Sequence, residues 1–454
     1  MLSIRQESLF SLEEILEMSP RESYPIFFDQ LDISPLLRAV SKKALLGAPT
    51  RLNYSAMIYS LFIRVIERIP TIKDLRKRLK NSLEFRFDCG FTMADSVPSE
   101  ASYTRMIQKI HASSALVNIQ NEMVSQAFQE GFIEGDVVAL DATHIEARDR
   151  FPEKKKDEEA QDKPSPKKRG RKLKVEREKW LKEQQELEEN QPLFEKKIEA
   201  QLPLDFTTIE QQIPQVPRWG IKKNSKGKNV FWFGFKGHLL VDCKSQYILS
   251  SLLSSGNVHD SKLAIPLLKA LKEFHPELKP SFILADAGYD YTPIYQQAKA
   301  IGAKALIDYN PRNEQVPEGK DKYFRPKCQE GYSYRYDSYD AQYDTLKYTR
   351  PKECNECPLQ ENNQCQCQKV FKVKASSDPR KYIVPARGSA SYFDLYKQRT
   401  AVERVNAYLK EYFQLKNIRH RGHLAKVDFE FSILTYTLCK LAVDRLNKSK
   451  RIAA

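Results

Sequence analysis

The sequence predicts an α/β protein whose core follows an all-α region and is interrupted by two insertions. Two apolar runs typical of buried strands lead into acidic residues, Asp141 and Asp286, and a late run of helix formers carries a third, Glu403. Strands and helices in this order favour a sheet flanked by helices. The predicted segments are an all-α domain at 1–130, the first part of the core at 131–147, a charged, partly disordered or helical insertion at 148–228, the continued core at 229–308, a cysteine-rich insertion at 309–391, and a C-terminal pair of helices at 392–454.

Two helices joined by a tight turn are predicted within the N-terminal domain. An amphipathic stretch from Ser55 is stopped by Pro70, and Thr71 then caps a strongly basic helix. The pair is compatible with a helix-turn-helix that lays its basic member along DNA, and equally with a helical bundle that has a solvated basic face. The candidate DNA contacts on the second helix are Lys73, Arg76 and Lys77.

The acidic residues at the strands are candidate catalytic groups. Residues 137–140 lead into Asp141, and residues 282–285 lead into Asp286. A buried acid is costly unless it is paired or binds a cation. Together with Glu403, these carboxylates supply the hard oxygen ligands that a two-metal phosphoryl-transfer site requires, with Mg²⁺ as the expected ion.

The first insertion separates the Asp141 strand from the next strand-like run. Residues 148–174 are charged and poor in apolar side chains, so we expect disorder there, followed by a helix over 175–201. Arg169-Gly-Arg171 resembles an AT-hook, in which both arginines enter the minor groove of A·T tracts. The alternative is a generic linker that attracts phosphates.

The core is expected to resume with a hairpin over 230–242 and 247–253, followed by the strand that leads into Asp286, a helix over 292–300 and a strand over 303–308. Asp260 is a candidate N-cap for the intervening helix. The adjacent His259 either faces the active site or satisfies the turn.

The second insertion contains five cysteines with spacing typical of a zinc site. Cys354-x2-Cys357 is followed by Cys365 and Cys367, and Cys328 precedes them. We favour Cys328, Cys354, Cys357 and Cys365 as ligands of a structural Zn²⁺, which leaves the role of Cys367 open. Unmetallated thiols are the alternative.

The run from Tyr396 to Lys410 is predicted to be one continuous helix. At about 100° per residue, Tyr396, Arg399, Glu403 and Lys410 fall on one narrow stripe. A solvated helix surface with i,i+4 ion pairs such as Arg399 with Glu403 would produce the same pattern. The two strand-borne acids upstream favour the catalytic interpretation.

Composition is compatible with a polyanionic partner. Lys and Arg number 74 against 59 for Asp and Glu, which gives a net charge of +15 and a pI near 9.2. Basicity alone would also serve solubility. We find no signal peptide and no membrane-spanning run, so a cytoplasmic protein without a membrane partner is expected.

The order Asp141, Asp286, Glu403, with Tyr-x2-Arg-x3-Glu-x6-Lys around the last acid, resembles bacterial insertion-sequence transposases of the DDE class. The phrase Asn257-Val-His-Asp260 is also similar to that family. The resemblance implies a ribonuclease H-like core, an N-terminal domain that binds DNA ends, and phosphate contacts by Arg399 and Lys410, with Tyr396 touching a displaced nucleotide.

The same resemblance implies cleavage of element ends and strand transfer into target DNA with two Mg²⁺ (or Mn²⁺) ions. The expected partners are the double-stranded terminal inverted repeats, the target DNA and a second copy of the chain in a homodimer, at the bacterial nucleoid. Two alternatives remain open, namely a metal-dependent nuclease that hydrolyses without joining and an inactive DNA-binding derivative.

Overall fold

The computed structural model describes residues 20–41, 52–149, 177, 190–223, 226–361 and 364–453. The helices are α1 Pro20–Phe28, α2 Ser34–Val40, α3 Tyr54–Ile66, α4 Ile72–Asn81, α5 Leu83–Asp88, α6 Glu100–His111, α7 Ala115–Gln129, α8 Phe206–Glu210, α9 Ala264–Phe274, α10 Thr292–Ala300, α11 Pro358–Glu361, α12 Ala390–Tyr396, α13 Thr400–Glu411 and α14 Ala425–Ala453. The strands are β1 Val137–Glu146, β2 Arg218–Lys223, β3 Asn229–Asp242, β4 Ile248–Ser255, β5 Phe282–Ala285, β6 Lys304–Ile307, β7 Arg335–Asp340, β8 Thr345–Thr349 and β9 Val370–Lys374.

The central sheet has the mixed order β4-β3-β1-β5-β6, with β2 also paired to β3. β1 is antiparallel to β3 and parallel to β5, and β5 is parallel to β6. Helices connect the parallel strands, and buried apolar side chains of both form one continuous core. The predicted α/β core is confirmed, whereas the spatial order of its strands was not predicted.

The N-terminal helices pack on the last helix, α14, rather than standing apart. Phe62 of α3 meets Phe431 of α14 with ring centroids 5.1 Å apart. Beside this contact, the buried Arg64 guanidinium lies 3.3 Å from the Asp428 carboxylate. Thr71 caps α4 as predicted, because its side chain accepts from the Asp74 N–H at 3.1 Å.

The cysteine-rich region builds a second, three-stranded antiparallel sheet in the order β7-β8-β9. It has its own small core, which includes Phe324, Tyr334 and Tyr348. Two arginines tie the region to the central sheet: Arg380 pairs with Asp290, and the buried Arg387 donates to the Ile307 carbonyl.

Predictions of a strand-free insertion and of a continuous helix need correction. Strand β2 lies inside the predicted insertion 148–228, yet it pairs with β3 and extends the central sheet. The predicted continuous helix is also interrupted, because α12 ends at Tyr396 and a 3₁₀ turn, Lys397–Arg399, precedes α13. Good helix formers do not exclude such a local tightening, since 3₁₀ turns commonly join helices. None of the helices in the described ranges combines the length and apolar character of a membrane span.

Candidate active site

Two carboxylates lie side by side where β1 and β5 run parallel. The paired register ends with Ala139 opposite Leu284, and Asp141 and Asp286 each follow two residues later. The Asp286 carboxylate acts electrostatically on Asp141, so the two acids are neighbours. Burial, with a smaller contribution from the Asp286 and Asp260 carboxylates, raises the pKa of Asp141 to about 7. These groups therefore favour either a shared proton or a bound cation.

Asp286 begins the 3₁₀ turn Ala287–Tyr289 and accepts from the Gly288 N–H at 2.9 Å. Burial raises its pKa, whereas the Gly288 hydrogen bond and Arg399 lower it. A Cβ on Gly288 would lie 3.0 Å from the Asp286 Oδ1 atom, which is closer than ordinary packing allows. The absent side chain at Gly288 thus leaves room for the carboxylate.

Glu403 lies in the first turn of α13 with its side chain 49% exposed. Its Oε1 atom accepts from Arg399 Nη2 at 2.7 Å. Within the described ranges, no three His, Cys, Asp or Glu side chains stand close enough together to hold a metal ion. Glu403 is thus held by Arg399, while Asp141 and Asp286 form the adjacent pair.

Two neighbours of the acid pair escaped the sequence analysis as site residues. Asn406, which is 7% exposed, donates from Nδ2 to the Asp141 carboxylate at 2.9 Å. It follows Glu403 by three positions on α13, so helical spacing could have revealed it. Asp260 is bound by Lys236 at 2.7 Å and acts electrostatically on both aspartates. The predicted N-cap role of Asp260 belongs instead to His259, whose ring accepts from the Ser261 N–H at 3.3 Å.

The other residues of the helical signature are placed around this pair. The Tyr396 hydroxyl donates to the Ala285 carbonyl at 3.2 Å, directly before Asp286, and burial raises its pKa to about 12. Lys410 Nζ lies 3.3 Å from His144 Nδ1 on β1. Burial lowers the pKa of Lys410 to about 8. Tyr396, Arg399 and Lys410 therefore all face the ends of β1 and β5 that carry the acids.

The candidate DNA contacts outside the core differ in their surroundings. Lys73 and Lys77 are exposed on α4. Arg76 instead donates to the Pro98 carbonyl at 2.6 Å and pairs with Glu100 at 3.2 Å, which holds α4 against α6. Arg76 is thus engaged within the fold. Arg169 and Arg171 lie outside the described residues.

Several cysteines in the loops around the second sheet are close enough to affect one another electrostatically. Burial, together with the neighbouring Cys328 and Cys367 thiols, raises the pKa of Cys354 to about 11. Cys367 Sγ accepts from the Gln329 N–H at 3.4 Å, and Cys365 acts on Cys367 as well. Cys367, whose role the sequence left open, is therefore part of this group.

Comparison with known proteins places the chain in a family. Residues 199–438 match the family model described as Transposase DDE domain, and residues 13–109 match the model described as Transposase domain (DUF772). No curated protein matches the chain significantly.

Among solved structures, the chain is similar to a piggyBac transposase in a synaptic complex with hairpin DNA, with 12% sequence identity and a TM-score of 0.40 over 96% of this chain and 77% of that one. The first family match alone spans more than half of the 454 residues. The chain therefore belongs to the DDE transposase family and is a DNA transposase, an enzyme that cleaves and transfers DNA.

Proposed function

We propose that this transposase cleaves the ends of its own insertion sequence and joins them to target DNA at a site formed by Asp141, Asp286 and Glu403. The observation that carries the proposal is the parallel pairing of β1 with β5, which brings Asp141 and Asp286 to the same end of the sheet, where Asp286 acts electrostatically on Asp141. Two neighbouring carboxylates with raised pKa values, half-buried at Asp141 and exposed at Asp286, are an unfavourable arrangement unless a cation neutralises them.

The donor set fits Mg²⁺ or Mn²⁺, because both ions prefer carboxylate oxygens. Asp141 and Asp286 would hold the cations, and Glu403 would join them once its carboxylate leaves Arg399. A divalent ion bound there supplies Lewis acidity toward the oxygens of the scissile phosphate.

The remaining side chains of the site position the DNA and the carboxylates. Asn406 holds the Asp141 carboxylate in one orientation through its 2.9 Å hydrogen bond. Arg399, released from Glu403, offers a planar fork to a phosphate, and Lys410 offers a point charge. Tyr396 is anchored at the Ala285 carbonyl, and its ring stacks on Tyr392 with the Arg399 guanidinium over it. A nucleotide base would stack on Tyr396 once Arg399 moves to a phosphate.

We further propose that Lys73 and Lys77 of α4 contact the terminal repeats and that a homodimer pairs the two ends. Both lysines are exposed on a basic helix, within the region that matches a transposase domain.

For the second sheet we propose a structural Zn²⁺ among its thiols, with Cys367 included in the set. Thiolates are soft ligands that suit Zn²⁺, and burial disfavours an unmetallated thiolate at Cys354. The zinc content of the purified protein should fall in Cys354→Ser. Equal content in wild type and variant would count against this site.

A strand-transfer assay tests the proposed function. Purified protein, Mg²⁺, labelled DNA carrying the element's ends and a target plasmid should give joined products that disappear in Asp141→Asn. Asp136→Asn is a matched control, because Asp136 is exposed just before β1 and lies outside the site. Cut DNA without joined products would favour the nuclease alternative, and end binding without cleavage in wild type would favour the inactive binder.

A further inference from the structure

The edge strand β2 brings a lysine to the active-site end of β1. Lys222 Nζ lies 3.0 Å from His144 Nδ1, and Lys410 Nζ of α13 lies 3.3 Å from the same atom. A neutral imidazole nitrogen has one lone pair, so it cannot accept well from both ammonium groups. Two cations thus converge on one nitrogen that can satisfy only one of them.

The Asp141 and Glu146 carboxylates act electrostatically on Lys410 and favour its charged form, but neither lies within ion-pair distance of it. Within the described part of the chain, neither Lys222 nor Lys410 forms an ion pair with a carboxylate. Burial, together with the charges of Lys410 and Lys222, lowers the pKa of His144 to about 4, so the ring is neutral near pH 7. Two ammonium groups separated by a neutral ring repel each other, and an anion between them would relieve that repulsion.

The two lysines meet at His144, which lies on the same strand as the candidate catalytic residue Asp141. Asn406 and Lys410 lie one turn apart on α13, and they contact Asp141 and His144 of β1, respectively. An anion held by the lysines would thus sit one helical turn from the Asp141 carboxylate. Phosphodiesters are the anions that this enzyme's substrate presents at regular spacing.

The geometry points to a binding site for one backbone phosphate of DNA, formed by Lys222 and Lys410 across His144. This inference rests on the proposed function and assigns to Lys222 a role that the helical signature does not contain. β2 pairs with no strand other than β3 in the described sheet, so it is an edge strand. In this proposal the hairpin β2–β3 positions the DNA through Lys222. The Trp232 ring packs 5.4 Å from the His144 ring and keeps it in place.

Lys222 and Lys223 provide a matched pair for the test. Both are exposed, but successive strand residues point to opposite faces, so Lys223 points away from His144. Binding of a 40-base-pair duplex carrying the element's end is measured across a salt series with the metal chelated. Lys222→Ala should reduce the slope of log affinity against log salt by about one, whereas Lys223→Ala should leave it unchanged. Lys222→Arg should retain the wild-type slope.

A scan of single methylphosphonates along the duplex locates the phosphate. At one position near the cleavage site, neutralising the phosphate should weaken duplex binding by wild type and by Lys223→Ala, but not by Lys222→Ala. A wild-type slope in Lys222→Ala, an equal effect in both lysine variants, or the absence of such a position would overturn the inference.

The same duplex with Mg²⁺ and a target plasmid separates the two proposals. Joined products from wild type together with a wild-type slope in Lys222→Ala would overturn the phosphate site alone. The predicted slope and scan without joined products would overturn the proposed function alone. Failure of wild type to bind the duplex would overturn both.

Discussion

Arg380 is predicted to hold the loop after β5 in place from the cysteine-rich region. The Asp290 side chain is 0% exposed, and its Oδ2 atom accepts from Arg380 Nη2 at 3.0 Å and from Nε at 3.2 Å. Arg380 Nη2 also donates to the Asn310 carbonyl at 2.9 Å. Asp290 follows Asp286 by four residues, so a shift of its carboxylate would move the turn that carries the candidate ligand.

The expected loss of folding stability depends on which hydrogen bonds Asp290 keeps when Arg380 is replaced by Ala. Breaking a buried ion pair by removing one partner costs about 3–5 kcal/mol. Asp290 would keep hydrogen bonds from the Tyr295 hydroxyl at 2.8 Å and the Asn310 N–H at 3.0 Å. These two bonds moderate the loss, so we expect the low end of the range, about 3 kcal/mol.

Urea unfolding and strand transfer measure the two consequences of Arg380→Ala. We expect the loss of stability together with reduced joining at a temperature where the variant is still folded. Arg335→Ala is the control, because Arg335 lies exposed on β7 of the same cysteine-rich region, and its loss should stay within about 0.5 kcal/mol. A destabilisation below about 1 kcal/mol by Arg380→Ala, with full joining activity, would refute the reasoning.

Two acids of α14 should respond to pH in opposite directions. Burial raises the pKa of Glu430 from 4.5 to about 7, so its ionisation destabilises the fold as pH rises across that interval. Glu430→Gln should match wild type near pH 4.5 and exceed it at pH 8 by on the order of 3 kcal/mol in urea unfolding, and a difference independent of pH would contradict this. Asp428 has a lowered pKa despite burial, because Arg64 and His420 favour its ionised form. Its stabilisation is present above its ordinary value of 3.8 and is lost as pH falls below it. Asp428→Ala should therefore cost about 3–5 kcal/mol at pH 7 and progressively less in acid, and an undiminished cost at low pH would count against the ion pair.

Local signals in the sequence were sufficient for the strands that lead into the acids and for the Thr71 cap, although not for the Asp260 cap. Asp141 and Asp286 each follow a run of apolar residues that is buried as a strand, and the Thr71 cap forms as predicted. These features depend on neighbours within a few positions, which the sequence displays directly.

Features that depend on distant partners were missed. Strand β2 is short, exposed and basic, and only its pairing with β3 makes it a strand. The bond of Asn406 to Asp141 and the pairing of Arg380 with Asp290 join positions far apart in the chain. The 3₁₀ turn at Lys397–Arg399 was missed for a related reason, since tertiary packing overrides helix propensity.

Direct coordination of a cation by Asp286 is the central claim, and a ligand exchange tests it most directly. In Asp286→Cys, a thiolate replaces a hard oxygen ligand, so strand transfer should be lost with Mg²⁺ and partly restored with Mn²⁺. Asp260→Cys is the control, because Asp260 lies near the same acids but is bound by Lys236. We predict that strand transfer by Asp286→Cys is lost with Mg²⁺ and partly restored with Mn²⁺, and that strand transfer by Asp260→Cys does not show this difference between the metals. Equal activity of Asp286→Cys in both metals, or the same dependence in Asp260→Cys, would contradict the account.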